Sequence, residues 1–254
     1  MFEPSLDVVA RASVTLTTLA LVWVMAQALG RRATGDAGPA PLALLFGLGL
    51  AWLVAAAFSH VQPLTELLRV VFPIGLALGL AVAGGSLAWP AARSAFDALS
   101  EGDVRHMLAF RGIYGGLLLA LGALGRLPLS FALAAGLGDL TVAWLAAMVP
   151  GALSAGGNRA ARLFVHGLGL LDLIQALAIA VVVVRPWSLA HANSTTSMTL
   201  PWVAVPLMVA LNAHGIRQAW RSSPSSAHAS HAGRSREPER HGSEPAGGVR
   251  RTVS

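Results

Sequence analysis

Ionisable side chains inside long apolar stretches are the residues of this sequence that most directly indicate chemistry. An ionised group in the core of a lipid bilayer is costly unless it is paired or hydrated, so each one is a candidate for a functional site. We predict an intramembrane polar cluster formed by Arg111, Asp139, Asp172 and His214. Three further polar residues in apolar stretches are secondary candidates: His166, Asn212 and Gln175.

Depth and direction predict which of these side chains meet. Helical side chains lean toward the N-terminus of their own helix, so Asp172 and His214 are expected to converge, and we predict that they form the best pair. Arg111 is expected to lean away from Asp139 and to extend its long side chain to the membrane interface. His166 and Asp172 are six positions apart and should not share a helix face, whereas Asp172 and Gln175 should.

The two aspartates are predicted to be coupled. Asp139 and Asp172 are expected at matching depth, near the bilayer midplane, on consecutive antiparallel helices. Two like charges at close range cannot both ionise cheaply, so one carboxyl should keep its proton and share it with the other. A polar network that only locks the bundle explains the same residues, and both interpretations stay open.

Composition and motifs exclude several kinds of site. The chain has no cysteine, and all 18 basic residues are arginine, so thiolate metal sites, Schiff-base lysines and a phosphate-loop lysine are excluded. No hydrolase, metalloprotease or paired-aspartate metal motif occurs, so no catalytic residue and no metal site are predicted. An enzymatic role remains an alternative without a defined reaction. No stacking aromatics accompany the arginines, so nucleic-acid binding is not expected.

No cofactor is predicted, although haem is one alternative that the histidines leave open. His166 and His214 lie at similar expected depth on consecutive helices, as axial ligation of a haem requires. The sequence lacks the same-helix histidine pairs that four-helix cytochromes of the b type use. A haem-binding redox protein is therefore kept as a minor alternative.

The elements that must position these residues are transmembrane helices. The 254 residues are 55% hydrophobic and only 12% charged, and the mean hydropathy is +0.63. Soluble domains carry about a quarter charged residues, so the composition indicates an all-α, polytopic membrane bundle. About seven spans are predicted, with six or eight as alternatives, near 12–29, 42–59, 70–89, 107–125, 129–149, 163–184 and 200–216.

The arginines indicate the orientation of the spans. Under the positive-inside rule, arginines at Arg31 and Arg32, Arg93 and Arg105, Arg159 and Arg162 mark the cytoplasmic side. The opposite side carries only Arg11, Arg69, Arg126 and Arg185. We therefore predict a cytoplasmic-membrane protein with its N-terminus outside and its C-terminus in the cytoplasm.

Local signals predict several connections. The turn 125–128 should join the fourth and fifth helices into an antiparallel hairpin. Residues 90–108 should include a short interfacial helix, with Ser100 and Asp103 as a capping box before the fourth helix. Pro73 and Pro206 are expected to kink their spans.

The bundle and the tail form two predicted regions. Residues 1–220 should form the bundle, and residues 221–254 a disordered, basic, cytoplasmic tail. The bilayer is the main predicted partner. Small residues at Gly75, Gly79 and Ala83, and at Gly112 and Gly116, should let helices approach closely, either within the chain or in a homo-oligomer or accessory complex.

The stretch from Phe110 to Leu140 includes FRGIYGG and LPLSFALAAGLGDL, and the chain continues with HGLGLLDL and LPWVAVPLMVALNAH. These segments resemble a family of uncharacterised bacterial seven-helix integral membrane proteins. The resemblance implies the fold and topology and no reaction. It implies that Arg111, Asp139, Asp172 and His214 occupy the polar positions of the family. His166 stands where that pattern more often has a neutral polar residue, and Ala134 replaces a proline.

These observations favour a transporter-like or sensor-like membrane bundle. A non-catalytic structural or accessory membrane subunit is the main alternative. Neither a substrate nor an oligomeric state is indicated by the sequence.

Overall fold

The computed structural model describes residues 4–32, 72–149, 153, 158–190 and 200–221. This part of the chain is helical and contains no strand. The second predicted span, 42–59, and the predicted tail beyond Arg221 lie outside it. Its seven helices are α1 (Pro4–Arg32), α2 (Phe72–Ala88), α3 (Pro90–Asp97), α4 (Glu101–Ala123), α5 (Leu129–Met148), α6 (Arg159–Ile179, continuing through Ala180–Val184 into Arg185–Ala190) and α7 (Leu200–Ala204 continuing into Val205–Arg221).

Four of these helices are long and apolar enough to cross a membrane. The segments are Val8–Leu29, Glu101–Ala123, Leu129–Met148 and Arg159–Trp187. Pro73–Ala88 and Pro90–Asp97 meet the same test together, but they are bent by 81° where they join. Within the described residues the structure therefore offers four spans, or five with the bent pair, where the sequence predicts six outside 42–59. The polar α7 accounts for part of this difference, because Asn212, His214 and Arg217 dilute its apolar character.

The α4–α5 hairpin is confirmed. Gly125 follows α4 with φ 67°, a conformation that glycine adopts without strain, and Arg126 N–H donates to the Leu121 carbonyl at 2.8 Å. The two helices pack at very short range, because a Cβ added at Gly115 would lie 2.6 Å from the Gly136 carbonyl oxygen. Gly116, which the sequence also assigns to the contact face, has open space around it.

The short helix predicted within 90–108 is present as α3, and the capping box is confirmed. Ser100 Oγ accepts from the Asp103 backbone N–H at 3.2 Å, and Asp103 Oδ2 accepts from Ser100 N–H at 3.0 Å. These two bonds satisfy backbone donors that the start of α4 would otherwise leave unpaired. Phe96 is buried on the inner face of α3.

The small-residue face of α2 is occupied within the chain. A Cβ on Gly75 would lie 2.3 Å from the Trp202 ring, and one on Gly79 would lie 2.6 Å from Pro206. The glycines therefore let the start of α7 approach the α2 backbone. Pro73 lies at the edge of the described residues, so the kink predicted there stays a prediction.

Two π-helical segments lie beside prolines. Ala180–Val184 precedes Pro186 in α6, and Leu200–Ala204 precedes Pro206 in α7. Proline removes a backbone donor and crowds the preceding turn, and a widened turn relieves that crowding. The kink predicted at Pro206 thus takes the form of a π segment directly before the proline.

Candidate functional site

The guanidinium of Arg111 connects three helices. Its Nε donates to Asp139 Oδ1 at 2.6 Å, and its Nη1 donates to the Gly169 carbonyl at 2.8 Å. Its Nη2 donates to Asp172 Oδ2. Arg111 lies on α4, Asp139 on α5, and Gly169 and Asp172 on α6. We call Arg111, Asp139 and Asp172 the triad.

The three side chains of the triad are buried to different degrees. The side chain of Arg111 is 1% exposed, that of Asp172 is 10% exposed and that of Asp139 is 14% exposed. The expectation that Arg111 extends to the membrane interface is therefore wrong. Two carboxylates and a backbone carbonyl bind its donors inside the bundle, and this pairing outweighs the alternative of reaching water.

Two glycines make room for the triad. A Cβ on Gly138 would lie 1.7 Å from Asp172 Oδ1, and one on Gly169 would lie 3.1 Å from Arg111 Nη1. Any side chain at Gly138 would therefore displace the Asp172 carboxylate from its place against α5. The backbone of α5 is thus as much a part of the site as Asp139, the next residue along it.

The charges of the triad do not cancel when all three groups are ionised. One guanidinium faces two carboxylates, which leaves one net negative charge in a largely buried place. Uptake of a single proton by either aspartate makes the triad neutral. The sequence predicts that the two carboxyls share a proton directly. In the structure, each carboxylate instead binds a different nitrogen of Arg111.

His214 lies in a separate cluster, so the predicted pairing of Asp172 with His214 is wrong. The His214 ring stacks on Phe96 of α3 with a centroid distance of 4.0 Å and an interplanar angle of 2°. Its Nε2 lies 3.2 Å from Ser86 Oγ, which itself donates to the Ala83 carbonyl. Because the Ser86 hydroxyl proton is given to Ala83, Ser86 can only accept from His214, so Nε2 of His214 carries a proton.

The His214 cluster fastens α3 to α7. Arg217 Nη2 donates to Asp97 Oδ1 at 2.5 Å, and Gln218 Nε2 donates to the Phe96 carbonyl at 3.1 Å. The bend between α2 and α3 carries Phe96 to His214, and a sequence pattern does not reveal such a bend.

His166 and Asn212 form a buried pair beside the triad. His166 Nδ1 lies 3.1 Å from Asn212 Oδ1, and Asn212 Nδ2 donates to the Met208 carbonyl at 2.8 Å. A Cβ on Gly169 would lie 2.7 Å from Asn212 Oδ1 as well as close to Arg111, so Gly169 separates this pair from the triad. As the sequence predicts, His166 and Asp172 face different helices, α7 and α4 respectively.

The remaining secondary candidate, Gln175, is exposed, whereas Asp172 is buried. Gln175 is thus not a companion of Asp172 in the interior. The helix turns its side chain outward because the buried face of α6 follows Val165, Gly169 and Asp172.

The two histidines do not fit axial ligation of a haem. His166 uses Nδ1 for Asn212, and a Cβ on Gly215 would lie 2.3 Å from its Nε2. The His214 ring is covered by Phe96. A porphyrin needs the two rings to face each other across a flat cavity, and these contacts occupy that space. Within the described ranges, no group of three or more histidine, aspartate or glutamate side chains is arranged to hold a metal ion.

Several residues of the site were not singled out from the sequence. Gly138 and Gly169 give space, Ser86 and Phe96 hold His214, and Tyr114 Oη donates to Thr18 Oγ1 at 2.9 Å to tie α1 to α4. The sequence does give a signal for the two glycines: Gly138 directly precedes Asp139, and Gly169 lies three residues before Asp172. Nothing local in the sequence indicates the other partners.

A model of a protein family matches the chain. The family model described as a domain of unknown function (DUF8737) matches residues 66–219, which is more than half of the chain and includes every residue of the triad. No curated protein and no solved structure matches the chain.

Proposed function

This chain belongs to the DUF8737 family, and we propose that it is a multi-pass membrane protein of the transporter-like or sensor-like kind. The observation that carries the proposal is the triad, in which one buried arginine is shared by two aspartates on neighbouring helices. Its function in this proposal is to take up and release a proton.

The apolar side chains on the outer surface of the helices support the proposal that the chain lies in a lipid bilayer. Large apolar side chains are exposed on several of the apolar helices. Examples are Leu16 at 64%, Phe164 at 58%, Leu171 at 60% and Val182 at 72% exposed. Lipid tails would cover apolar side chains that are this exposed, as they do on helices that cross a bilayer.

The balance of charge in the triad supports proton binding. With both aspartates ionised, the triad carries one excess negative charge, and in a low-dielectric environment this favours proton uptake. A proton on Asp172 would weaken its bond to Arg111 and leave Arg111 bound to Asp139 and Gly169. One of the two bonds from Arg111 to α6 would then depend on protonation, and a contact of this kind can bias the two states that transport or sensing requires.

The orientation proposed for the bundle places the N-terminus outside and the C-terminus in the cytoplasm. The ends of α3 and α7 and the starts of α4 and α6 then lie on the cytoplasmic side. Most arginines of the described helices lie near these ends, which agrees with the positive-inside rule.

Proton flux into liposomes tests the transport form of this proposal. We expect proteoliposomes with the wild-type chain to acidify in response to an imposed pH gradient. Asp139→Asn and Asp172→Asn should reduce that flux to the level of empty liposomes, because neither amide can carry the proton. Asp97→Asn is the matched control: it removes a carboxylate from the His214 cluster and should leave the flux unchanged. Equal and negligible flux from the wild type and Asp139→Asn would reject proton-linked transport.

A structural or accessory membrane subunit is the second candidate. The observation that favours it is that all three nitrogens of Arg111 already have acceptors on two other helices, as a purely locking network would. In that case the aspartates matter for stability alone. Asparagine at either position would then preserve most hydrogen bonds and leave every proton-dependent measurement unchanged.

A further inference from the structure

One end of the bundle combines arginines with an exposed tryptophan. Arg159, at the start of α6, places its guanidinium 5.1 Å from the centre of the Trp220 ring, near the end of α7. Trp220 is 62% exposed and Arg221 beside it is also exposed. This geometry leaves an aromatic ring and two cationic groups together on the outer surface.

The charge at this end is not neutralised within the described helices. Arg105 pairs with Glu101 at 2.7 Å, Arg217 pairs with Asp97, and Asp103 caps α4. Among the residues that the structure describes, Arg159 and Arg221 have no acidic partner, and neither has Arg93 on α3. Within the described helices the acidic side chains of this end are thus engaged elsewhere, and Arg159 and Arg221 can interact with an external anion.

From this arrangement we infer that Arg159, Trp220 and Arg221 form a binding surface for the headgroup of an anionic phospholipid. Tryptophan prefers the boundary between headgroups and acyl chains, where its ring is in a partly apolar layer and its N–H reaches polar groups. The guanidinium groups beside it present donors that match phosphate oxygens. The inference rests on the proposed membrane location and adds a lipid class and a place to it.

The contact between Arg159 and Trp220 also explains why these two residues should act together. The ring holds the guanidinium of Arg159 beside it by a cation–π interaction, which uses none of its N–H donors for an oxygen acceptor. Loss of the ring should therefore weaken lipid binding even though the ring carries no charge. Phenylalanine keeps an aromatic face and should preserve most of the effect.

Native mass spectrometry of the full chain in detergent tests the inference, with phosphatidylglycerol and phosphatidylcholine as the two probes. We expect the wild type to bind phosphatidylglycerol more tightly. Arg159→Gln should weaken that binding about fivefold, the effect of one arginine near an anionic surface. Trp220→Ala should weaken it too, and Trp220→Phe should retain it. Arg185→Gln, in α6 but at the opposite end of that helix, is the matched control and should have no effect.

Equal affinity for both lipids, or equal effects of Arg159→Gln and Arg185→Gln, would overturn the lipid site. Alkaline extraction of membranes that contain the wild-type chain separates this result from a failure of the proposed function. A chain that resists extraction but does not distinguish the lipids lacks this site alone. A chain released by extraction is not an integral membrane protein, and both proposals then fail.

Discussion

Replacing Arg111 by leucine is expected to destabilise the protein by about 3–5 kcal/mol, the cost of removing one partner from a buried ion pair. The side chain is 1% exposed and its three nitrogens hold Asp139, Asp172 and the Gly169 carbonyl. Without it, two carboxylates lie close together in the bundle with no counter-charge. The free energy of unfolding in mixed micelles, measured by titration with a denaturing detergent, gives the size of the loss.

The matched control for Arg111→Leu is Arg105→Leu. Arg105 lies on the same helix, pairs with Glu101 at 2.7 Å and is 42% exposed, so its removal should cost less than about 1 kcal/mol. Neutralising the aspartates as well, in Arg111→Leu with Asp139→Asn and Asp172→Asn, should restore part of the stability, because no uncompensated charge remains. A loss for Arg111→Leu no larger than that for Arg105→Leu would contradict the geometry of the triad.

Gly138→Ala is expected to be the most damaging of the single methyl additions at the site. The new Cβ would lie 1.7 Å from Asp172 Oδ1 and 2.5 Å from its carboxyl carbon, so the carboxylate must move away from Arg111 or the helices must separate. Overpacking of this kind costs about 1–3 kcal/mol. The same detergent titration measures it.

Gly116→Ala is the control for Gly138→Ala. Gly116 also lies within a helix but has no atom within 4 Å of the added Cβ, so alanine should be neutral or stabilise by up to about 1 kcal/mol through helix propensity. Shortening Asp172, the residue that the new Cβ would meet, gives a second check. In an Asp172→Ala background, Gly138→Ala should lower the free energy of unfolding much less, because the clash is gone. Additive effects of the two changes would show that Gly138 and Asp172 do not meet.

Local signals explain which parts of the fold are predictable from this sequence. The capping box at Ser100 and Asp103, the short helix α3 and the turn at Gly125 each depend on residues within about one helical turn, and each is present. The helical character of the chain follows from its apolar composition. The span 42–59 and the tail beyond Arg221 lie outside the described residues and stay predictions.

Contacts between side chains on different helices are harder to predict from the sequence, because they depend on how the helices pack. The depth argument selects Asp139 and Asp172 correctly as neighbours of one site, but it directs Arg111 outward and His214 toward Asp172. The space at Gly138 and Gly169 decides where Arg111 goes, and the 81° bend between α2 and α3 decides what His214 contacts. Both depend on how several helices pack together, and no single helix encodes them.

The central claim is that the triad takes up one proton, and infrared difference spectroscopy of the membrane-reconstituted chain measures this most directly. A protonated carboxyl has its own carbonyl stretching band, which an ionised carboxylate lacks. If the triad takes up one proton, such a band should appear as the pH is lowered. Asp139→Asn or Asp172→Asn should alter or remove the band, whereas Asp97→Asn should leave it unchanged. A spectrum in which no carboxyl band changes with pH, or in which both triad variants keep the wild-type change, would contradict the account.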